Sequence, residues 1–161
     1  MIGSKAEVMF WLKSQKDGQY EIVPYCPGRT LTQNAYFHVL VREIAKAVRN
    51  LSDVEVKNRL IADYGVVDRE MGVVIIDDSV PWDKSPYIHL RPTSATRVLD
   101  DGKLYRVCYV MRGTHTLNTA DMAHLLDCTV AEAKQLGIET LPPQKLIAMR
   151  LREEKCESGG Q

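Results

Sequence analysis

Hydrogen-bonding and cationic side chains recur about every four residues within residues 29–51. Because residues one helical turn apart lie on the same side of an α-helix, these side chains form a continuous polar stripe. Cations one turn apart can contact neighbouring phosphates of a nucleic acid. The stripe therefore predicts a phosphate-binding surface, and the alternative is a face that only meets solvent, with Glu43 pairing with Lys46. Its members are Asn34, His38, Arg42, Lys46 and Arg49.

A second basic patch is predicted on a β-hairpin of residues 93–99 and 104–113, joined by a four-residue turn. In this register Arg97 lies opposite Arg106, and Arg112 lies on the same face. Like charges directly across a sheet repel each other, and a bound anion would relieve the repulsion. A basic sheet face can hold a single nucleic-acid strand when its cations follow the backbone and aromatic rings stack on the bases.

Rings near this hairpin, such as Tyr87 and Trp82, are candidates for stacking on bases. The other side of the hairpin is then expected to be buried. Two alternatives stay open: a slip of one residue would separate the two arginines, or nearby aspartates would neutralise them. The aspartates are Asp77, Asp78 and Asp100, and the residues predicted to be buried are Val98, Tyr105, Val107, Tyr109 and Met111.

Asp77 and Asp78 follow an apolar strand and suggest a divalent-metal site that His89 or His115 would complete. Consecutive residues of a strand point to opposite faces, so only one of these carboxylates can readily face a given metal. The chain has neither a histidine pair at metal-ligand spacing nor a glycine-rich phosphate loop. We therefore predict no catalytic residue, no metal ligand and no cofactor, and a metal-dependent nuclease is the alternative.

A central helix within residues 29–51 must position the polar stripe, because its apolar residues also recur at three- and four-residue intervals. Ser52 and Glu55 form a capping box that begins a second helix, and Gly65 ends it where a left-handed residue is common. The short connection favours antiparallel packing of the two helices. The apolar stripe consists of Phe37, Leu40, Val41, Ile44, Val48 and Leu51.

The remaining elements combine strands with two further helices. Residues 6–13 and 20–25 are predicted to form an N-terminal β-hairpin, because an Asp-Gly pair lies between them. A β-branched run at residues 73–76 predicts another strand. Later helices begin near Asn118 and Pro142. The sequence thus predicts an α+β fold in which antiparallel strands pack on a central helix pair, with helices at the C-terminus.

Composition is that of an ordinary globular protein, with 161 residues, 45% hydrophobic and 26% charged. This length favours a single domain at residues 1–153, and the tail at residues 154–161 has no apolar pattern and is predicted to be disordered. No segment is apolar over the length of a signal peptide or a membrane span, and the four cysteines have no paired spacing. We expect a cytoplasmic protein that does not contact a membrane.

Charge is balanced overall but segregated along the chain. The 21 basic and 21 acidic residues give a formal net charge of zero, so any attraction to a polyanion must be local. Residues 29–61 hold six basic and three acidic side chains, and residues 86–116 hold five and two. Residues 62–85 reverse the sign, with six acidic and two basic side chains. The two basic segments are those that carry the stripe and the hairpin patch.

The head of the central helix, Arg29-Thr30-Leu31-Thr32-Gln33-Asn34, resembles the phage recombination proteins of the NinB (Orf) family. That family carries an R-[ST]-L-x-Q-N motif at the start of an amphipathic helix, and residues 116–137 show a further similarity. The resemblance implies a small, dimeric α/β protein that binds single-stranded DNA and assists recombinase loading in place of host mediators. It also implies that no catalysis and no cofactor are involved.

We therefore expect a non-catalytic, single-stranded DNA-binding protein of phage or prophage homologous recombination. It would act as a homodimer in the host cytoplasm, with a host single-strand-binding protein or a recombinase as a further partner. Besides the nuclease, the alternative is a protein-interaction module whose helix at residues 118–137 packs against a partner. The predicted nucleic-acid contacts are Arg29, Gln33, Asn34, His38, Arg42, Lys46, Arg49, Arg97, Arg106 and Arg112.

Overall fold

The computed structural model describes residues 4–20 and 32–158, with side chains as far as Glu153. Within these residues, five α-helices and a three-stranded antiparallel sheet confirm the predicted α+β class. The helices are α1 (Lys5–Lys13), α2 (Gln33–Val48), α3 (Asp53–Tyr64), α4 (Thr119–Gln135) and α5 (Pro143–Ser158), the strands are β1 (Val73–Asp77), β2 (His89–Val98) and β3 (Leu104–Met111), and Thr114–Thr116 form a 3-10 turn.

The apolar stripe of α2 packs against α3 and α4, as its spacing predicts. Phe37 is completely buried and shares one core with Ile61 of α3 and Leu125 of α4, which are also completely buried. Val48 and Leu51 pack at the edge of this core. This packing fixes the rotation of α2 and therefore decides which of its polar residues face a neighbouring helix.

The predicted capping box at the start of α3 is confirmed. The Ser52 N–H donates to Glu55 Oε2 at 2.9 Å, and the Glu55 N–H donates to Ser52 Oγ at 3.3 Å. Gly65 ends the helix as predicted, but its φ of −80° is not left-handed. A Cβ at this position would lie 2.5 Å from the Ile61 carbonyl oxygen. Close backbone packing, rather than a positive φ, therefore requires the glycine.

Helix α4 follows its predicted pattern. Asn118 Oδ1 accepts a hydrogen bond from the Asp121 N–H at 2.8 Å, and Gly137 just beyond the helix has a φ of 74°. The buried side of α4 packs on α2 and α3 within the chain's own core, so it cannot also be the surface that holds a separate partner. Its buried apolar residues are Met122, Leu125, Leu126, Val130 and Ala133.

Helix α5 begins at Pro143, in agreement with the predicted start, and continues to Ser158. The predicted disordered tail is therefore wrong for residues 154–158, and residues 159–161 lie outside the described part of the chain. The prediction relied on the missing apolar stripe. Glu154, Lys155 and Glu157 have high helix propensity, however, and this favours continuation of the helix without an apolar stripe.

The sheet has β3 at its centre, with β1 and β2 on either side. The hairpin register differs by one residue from the prediction, because Arg97 pairs with Tyr105 rather than with Arg106. The turn is the reason: Leu99 belongs to the loop, where its N–H donates to the Lys103 carbonyl oxygen at 3.2 Å. Since a slip of one residue exchanges the two faces of a strand, the predicted repulsion between the two arginines is wrong.

The register also changes which side of the hairpin is buried. Cys108 and Val110 of β3 are buried with Leu90 of β2, and Trp82 packs against this smaller cluster. Met111 is buried as predicted, although against the helical core. The other predicted core residues are more open: Tyr105 and Val107 are partly exposed, Tyr109 is 40% exposed, and Val98 is 66% exposed.

The predicted N-terminal β-hairpin is wrong, because its first strand is the helix α1. Ser4 and Glu7 form a capping box, with the Ser4 N–H donating to Glu7 Oε2 at 2.6 Å. The apolar residues 8–12 are continuous rather than alternating, so the segment lacks the period of two that a half-buried strand requires. Residues 21–25 of the second predicted strand lie outside the described residues.

The chain's two phenylalanines test this core. Phe37 has no exposed surface, whereas Phe10 on α1 is 79% exposed. Phe37→Ala is expected to lower the free energy of unfolding by about 3–5 kcal/mol, because it removes a fully buried ring and leaves a cavity. Phe10→Ala is the matched control and should change it by less than about 0.5 kcal/mol. Urea unfolding followed by circular dichroism measures both, and equal losses would contradict the described packing.

Candidate nucleic-acid interface

One side of the sheet brings tyrosine and arginine side chains together. Residues paired directly across strands point to the same side of a sheet. Tyr109 pairs with Val73 of β1 and with Arg91 of β2. Tyr105, four residues earlier on β3, points the same way and pairs with Arg97. We call this surface the tyrosine face, and its members are Val73, Ile75, Asp77, Arg91, Arg97, Tyr105, Val107 and Tyr109.

The tyrosine face is open to solvent along much of its length. Val73 is 54% exposed, Ile75 46% and Tyr109 40%. The Arg91 guanidinium carbon lies 5.2 Å from the centroid of the Tyr109 ring, which is a cation–π distance. An exposed ring of this kind can stack on a nucleic-acid base while a neighbouring cation meets the phosphate. Tyr105 and Tyr109 are about 13 Å apart along the strand, so they would contact different bases.

Hydrogen bonds fix the side chains of Tyr105 and Asp77 at the end of the tyrosine face farther from Tyr109. The Tyr105 hydroxyl donates to Asp101 Oδ2 at 2.7 Å, and this bond raises the pKa of the tyrosine. Asp77 Oδ1 accepts from the Ser79 hydroxyl at 2.6 Å, which lowers the pKa of Asp77. Arg97 is exposed, and no carboxylate in the described residues forms an ion pair with it. Its positive charge therefore remains available to an anion.

Arg106 lies on the opposite side of the sheet from Arg97. Its Nε lies 2.5 Å from Asp78 Oδ1, and its Nη1 donates to the Thr93 carbonyl oxygen at 3.0 Å. The predicted neutralisation by aspartate thus applies to Arg106, and not to Arg97. Arg112 follows the end of β3 and is partly buried. The structure therefore does not bring the three predicted arginines onto one basic face.

The polar stripe of α2 is divided by its surroundings. Gln33 is completely buried, and its N–H and Nε2 donate to Glu153 at 2.9 and 2.5 Å. Lys46 Nζ lies 2.7 Å from Glu43 Oε1 on the exposed side of the helix, as the solvent-face alternative predicts. Arg49 is exposed and caps the helix with a φ of 61°. Arg29 lies outside the described residues.

Asn34 faces the 3-10 turn and the start of α4, unlike the other residues of the stripe. It lines a cavity near the end of β3, together with Thr114 and His115 of the 3-10 turn and Asn118, the N-cap of α4. Its Oδ1 is buried and has no hydrogen-bond partner among the described residues. The structure therefore separates Asn34 from the cations of α2.

His38 and Arg42 face α3, where Lys57 completes a group of three basic side chains. They line a cavity of about 180 Å³ between the two helices. Burial lowers the pKa of His38, and repulsion by Lys57 and Arg42 lowers it further. Burial also lowers the pKa of Lys57. We call this group the α2–α3 cleft, and its charges favour an anion because they repel one another.

His89 of β2 forms a hydrogen bond with Asn58 of α3. Its Nδ1 lies 2.6 Å from Asn58 Oδ1, and Asn58 Nδ2 donates to the carbonyl oxygens of Asp83 and Ser85 at 2.6 and 2.8 Å. Burial, with repulsion from Lys57 and His115, lowers the pKa of His89 to about 4. Because His89 lies two residues before Arg91 on β2, the two side chains point to the same side of the sheet, and the bond to Asn58 joins α3 to that side.

The carboxylates of the nuclease alternative have other partners. Asp78 is paired with Arg106, and Asp77 binds Ser79 and lies 3.5 Å from Lys103. In the described segments, no group of three or more His, Cys, Asp or Glu side chains is arranged to hold a metal ion. Within the described part of the chain, the structure therefore places no further metal-ligating side chains around Asp77 and Asp78.

Several residues of the tyrosine face and of the α2–α3 cleft are not predicted from the sequence as site residues. The alternation of Tyr105, Val107 and Tyr109 places the three side chains on one side of the sheet, but it does not show which side the core covers. Lys57 has no signal of its own, because the predicted packing of the two helices does not show which side of α3 faces α2. The predicted stacking rings also differ: Tyr87 is 94% exposed, whereas Trp82 packs under the opposite side of the sheet.

Comparison with known proteins gives no family: no family model, curated protein or solved structure matches the chain. Among the described helices, none has the length and apolar character needed to cross a membrane.

The low pKa of His89 predicts acid sensitivity. An unfolded histidine titrates near pH 6.5, so the unfolded chain takes up this proton first as the pH falls. The free energy of unfolding should therefore decrease from about pH 6.5 to about pH 4. His89→Gln keeps a donor for Asn58 and is expected to remove on the order of 2 kcal/mol of this decrease. Urea unfolding at pH 7 and pH 4.5 measures the difference, and an unchanged decrease in the variant would contradict it.

Proposed function

We propose that the protein binds single-stranded DNA without catalysis and assists phage or prophage homologous recombination. The observation that carries this proposal is the pairing of two partly exposed tyrosines with two arginines on one open side of the sheet. A stacking ring beside a cation suits the two parts of a nucleotide, its base and its phosphate. The tyrosine face lacks any feature that would select one base, so the proposed binding is tolerant of sequence.

The motif at the head of α2 supports the recombination context. Its resemblance to the NinB (Orf) family is the reason to propose recombinase loading, a homodimer, and a host single-strand-binding protein or recombinase as a partner. In this structure the N–H and Nε2 of Gln33 donate to the carboxylate of Glu153 of α5, and Thr32 of the motif caps the start of α2. The motif thus contributes to the fold here, and the proposed DNA contacts are provided mainly by β2 and β3.

Replacement of Tyr109 tests base stacking. Tyr109→Ala is expected to weaken binding of a fluorescent oligothymidine about tenfold, because one base loses its stacking partner. Tyr109→Phe is the matched control and should bind within about twofold of the wild type, since the ring remains. Fluorescence anisotropy at low salt measures all three dissociation constants. Wild-type affinity in the alanine variant would overturn the role of the face, and no binding by the wild type would overturn the function.

Replacement of Arg97 tests the phosphate contact. Each phosphate contact on a single strand contributes about 0.7 to the slope of log K against log salt concentration. Arg97→Ala should therefore reduce that slope by about 0.7, whereas Lys46→Ala should leave it unchanged, because Lys46 already pairs with Glu43. Titrations between low and moderate salt give both slopes. A loss in the Lys46 variant alone would instead place the strand along α2.

A further inference from the structure

The α2–α3 cleft differs from the tyrosine face because it is a small cavity rather than an open track. We propose that it binds one phosphomonoester dianion, the terminal phosphate of a bound strand. This proposal rests on the proposed function for the source of the phosphate. Free inorganic phosphate presents a similar charge and similar acceptor oxygens, so it is the second possible source of the anion.

Unneutralised charge is the first reason. Lys57 is partly buried, and no carboxylate of the described residues lies within ion-pair distance of it or of Arg42. Asp53 also lines the cavity, four residues before Lys57, but it is exposed and does not form an ion pair with Lys57. Two cations, with one carboxylate at the rim and a partly buried His38, leave the cleft with an excess of positive charge.

The start of α3 is the second reason. Asp53 and Val54, in its first turn, both line the cavity. The capping box occupies the N–H groups of Ser52 and Glu55. The N–H groups of Asp53 and Val54 have no acceptor within the described residues. Free amides at a helix N-terminus carry partial positive charge and donate to anions, so they add to the two cations.

Size and charge select the terminal phosphate over the phosphates within a strand. The cavity of about 180 Å³ holds a phosphate group and a few waters, since a water occupies about 30 Å³ in the liquid. A monoester carries about −1.5 to −2 charges near pH 7 and three acceptor oxygens, whereas each phosphodiester carries one charge. The cleft therefore complements the end of a strand better than its middle.

Terminal phosphorylation of an otherwise identical oligonucleotide tests the proposal. The wild type should bind a 5′- or 3′-phosphorylated oligonucleotide at least fivefold more tightly than the hydroxyl form. Lys57→Met, which keeps the aliphatic stem, should lose this preference and still bind the hydroxyl form as the wild type does. Arg42→Gln should reduce the preference too, and because Arg42 is exposed this variant guards against a folding defect. Equal affinity of the wild type for all forms would overturn the proposal.

Inorganic phosphate separates this inference from the proposed function. Phosphate should raise the melting temperature of the wild type relative to sodium chloride of the same ionic strength, and Lys57→Met should abolish the shift. A shift without oligonucleotide binding would support the cleft as a free-phosphate site and overturn DNA binding. Binding of the hydroxyl oligonucleotide with no phosphate preference and no shift would overturn the cleft alone.

Discussion

Burial of one side of α2 is the constraint that determines which of its polar residues form the α2–α3 cleft. Phe37 and its apolar neighbours fill the space against α3 and α4, and this fixes the rotation of a 16-residue helix. The same rotation turns His38 and Arg42 toward Lys57 and leaves Lys46 in solvent. The polar stripe is continuous along the helix, but its residues have different surroundings. Some of them face α3, and others face only solvent.

The alternation of side chains in β3 imposes the second constraint. Met111 and Tyr109 point to the same side of the sheet, but the helical core covers Met111 and leaves Tyr109 open. The same alternation places Arg106 beside Asp78 on the opposite side. The helices thus cover one end of a sheet face, and the uncovered remainder is the surface that we propose for DNA.

Sequence reasoning succeeded where local chemistry decides the structure. Asn118 and the Ser52 and Glu55 pair marked helix starts correctly, because a cap is made within a few residues of the chain. It failed at the N-terminus, where the Ser4 and Glu7 capping box outweighs the Asp-Gly turn signal. Both outcomes follow from the same short-range hydrogen bonds.

Reasoning from sequence reached less of the candidate site, because the site depends on long-range packing. A loop conformation at Leu99 shifted the hairpin by one residue and exchanged its faces. The predicted antiparallel packing of α2 and α3 does not fix the rotation of α3, so it does not place Lys57 beside Arg42. Residue type alone marks Arg97 and Arg42 as cations, but their neighbours in the fold, Tyr105 and Lys57, depend on strand register and helix packing.

Strand β1 has consequences for solubility as well as for binding. It lies at an edge of the sheet, and no other strand in residues 32–158 pairs with its outer side. Its Val-Val-Ile-Ile sequence is the kind of apolar, β-branched edge that recruits strands from other molecules. Asp77 and Asp78 follow directly and place charge at the end of that segment. The two carboxylates that suggest a metal site in the sequence thus also end an apolar edge segment, a position where charge disfavours edge-to-edge pairing.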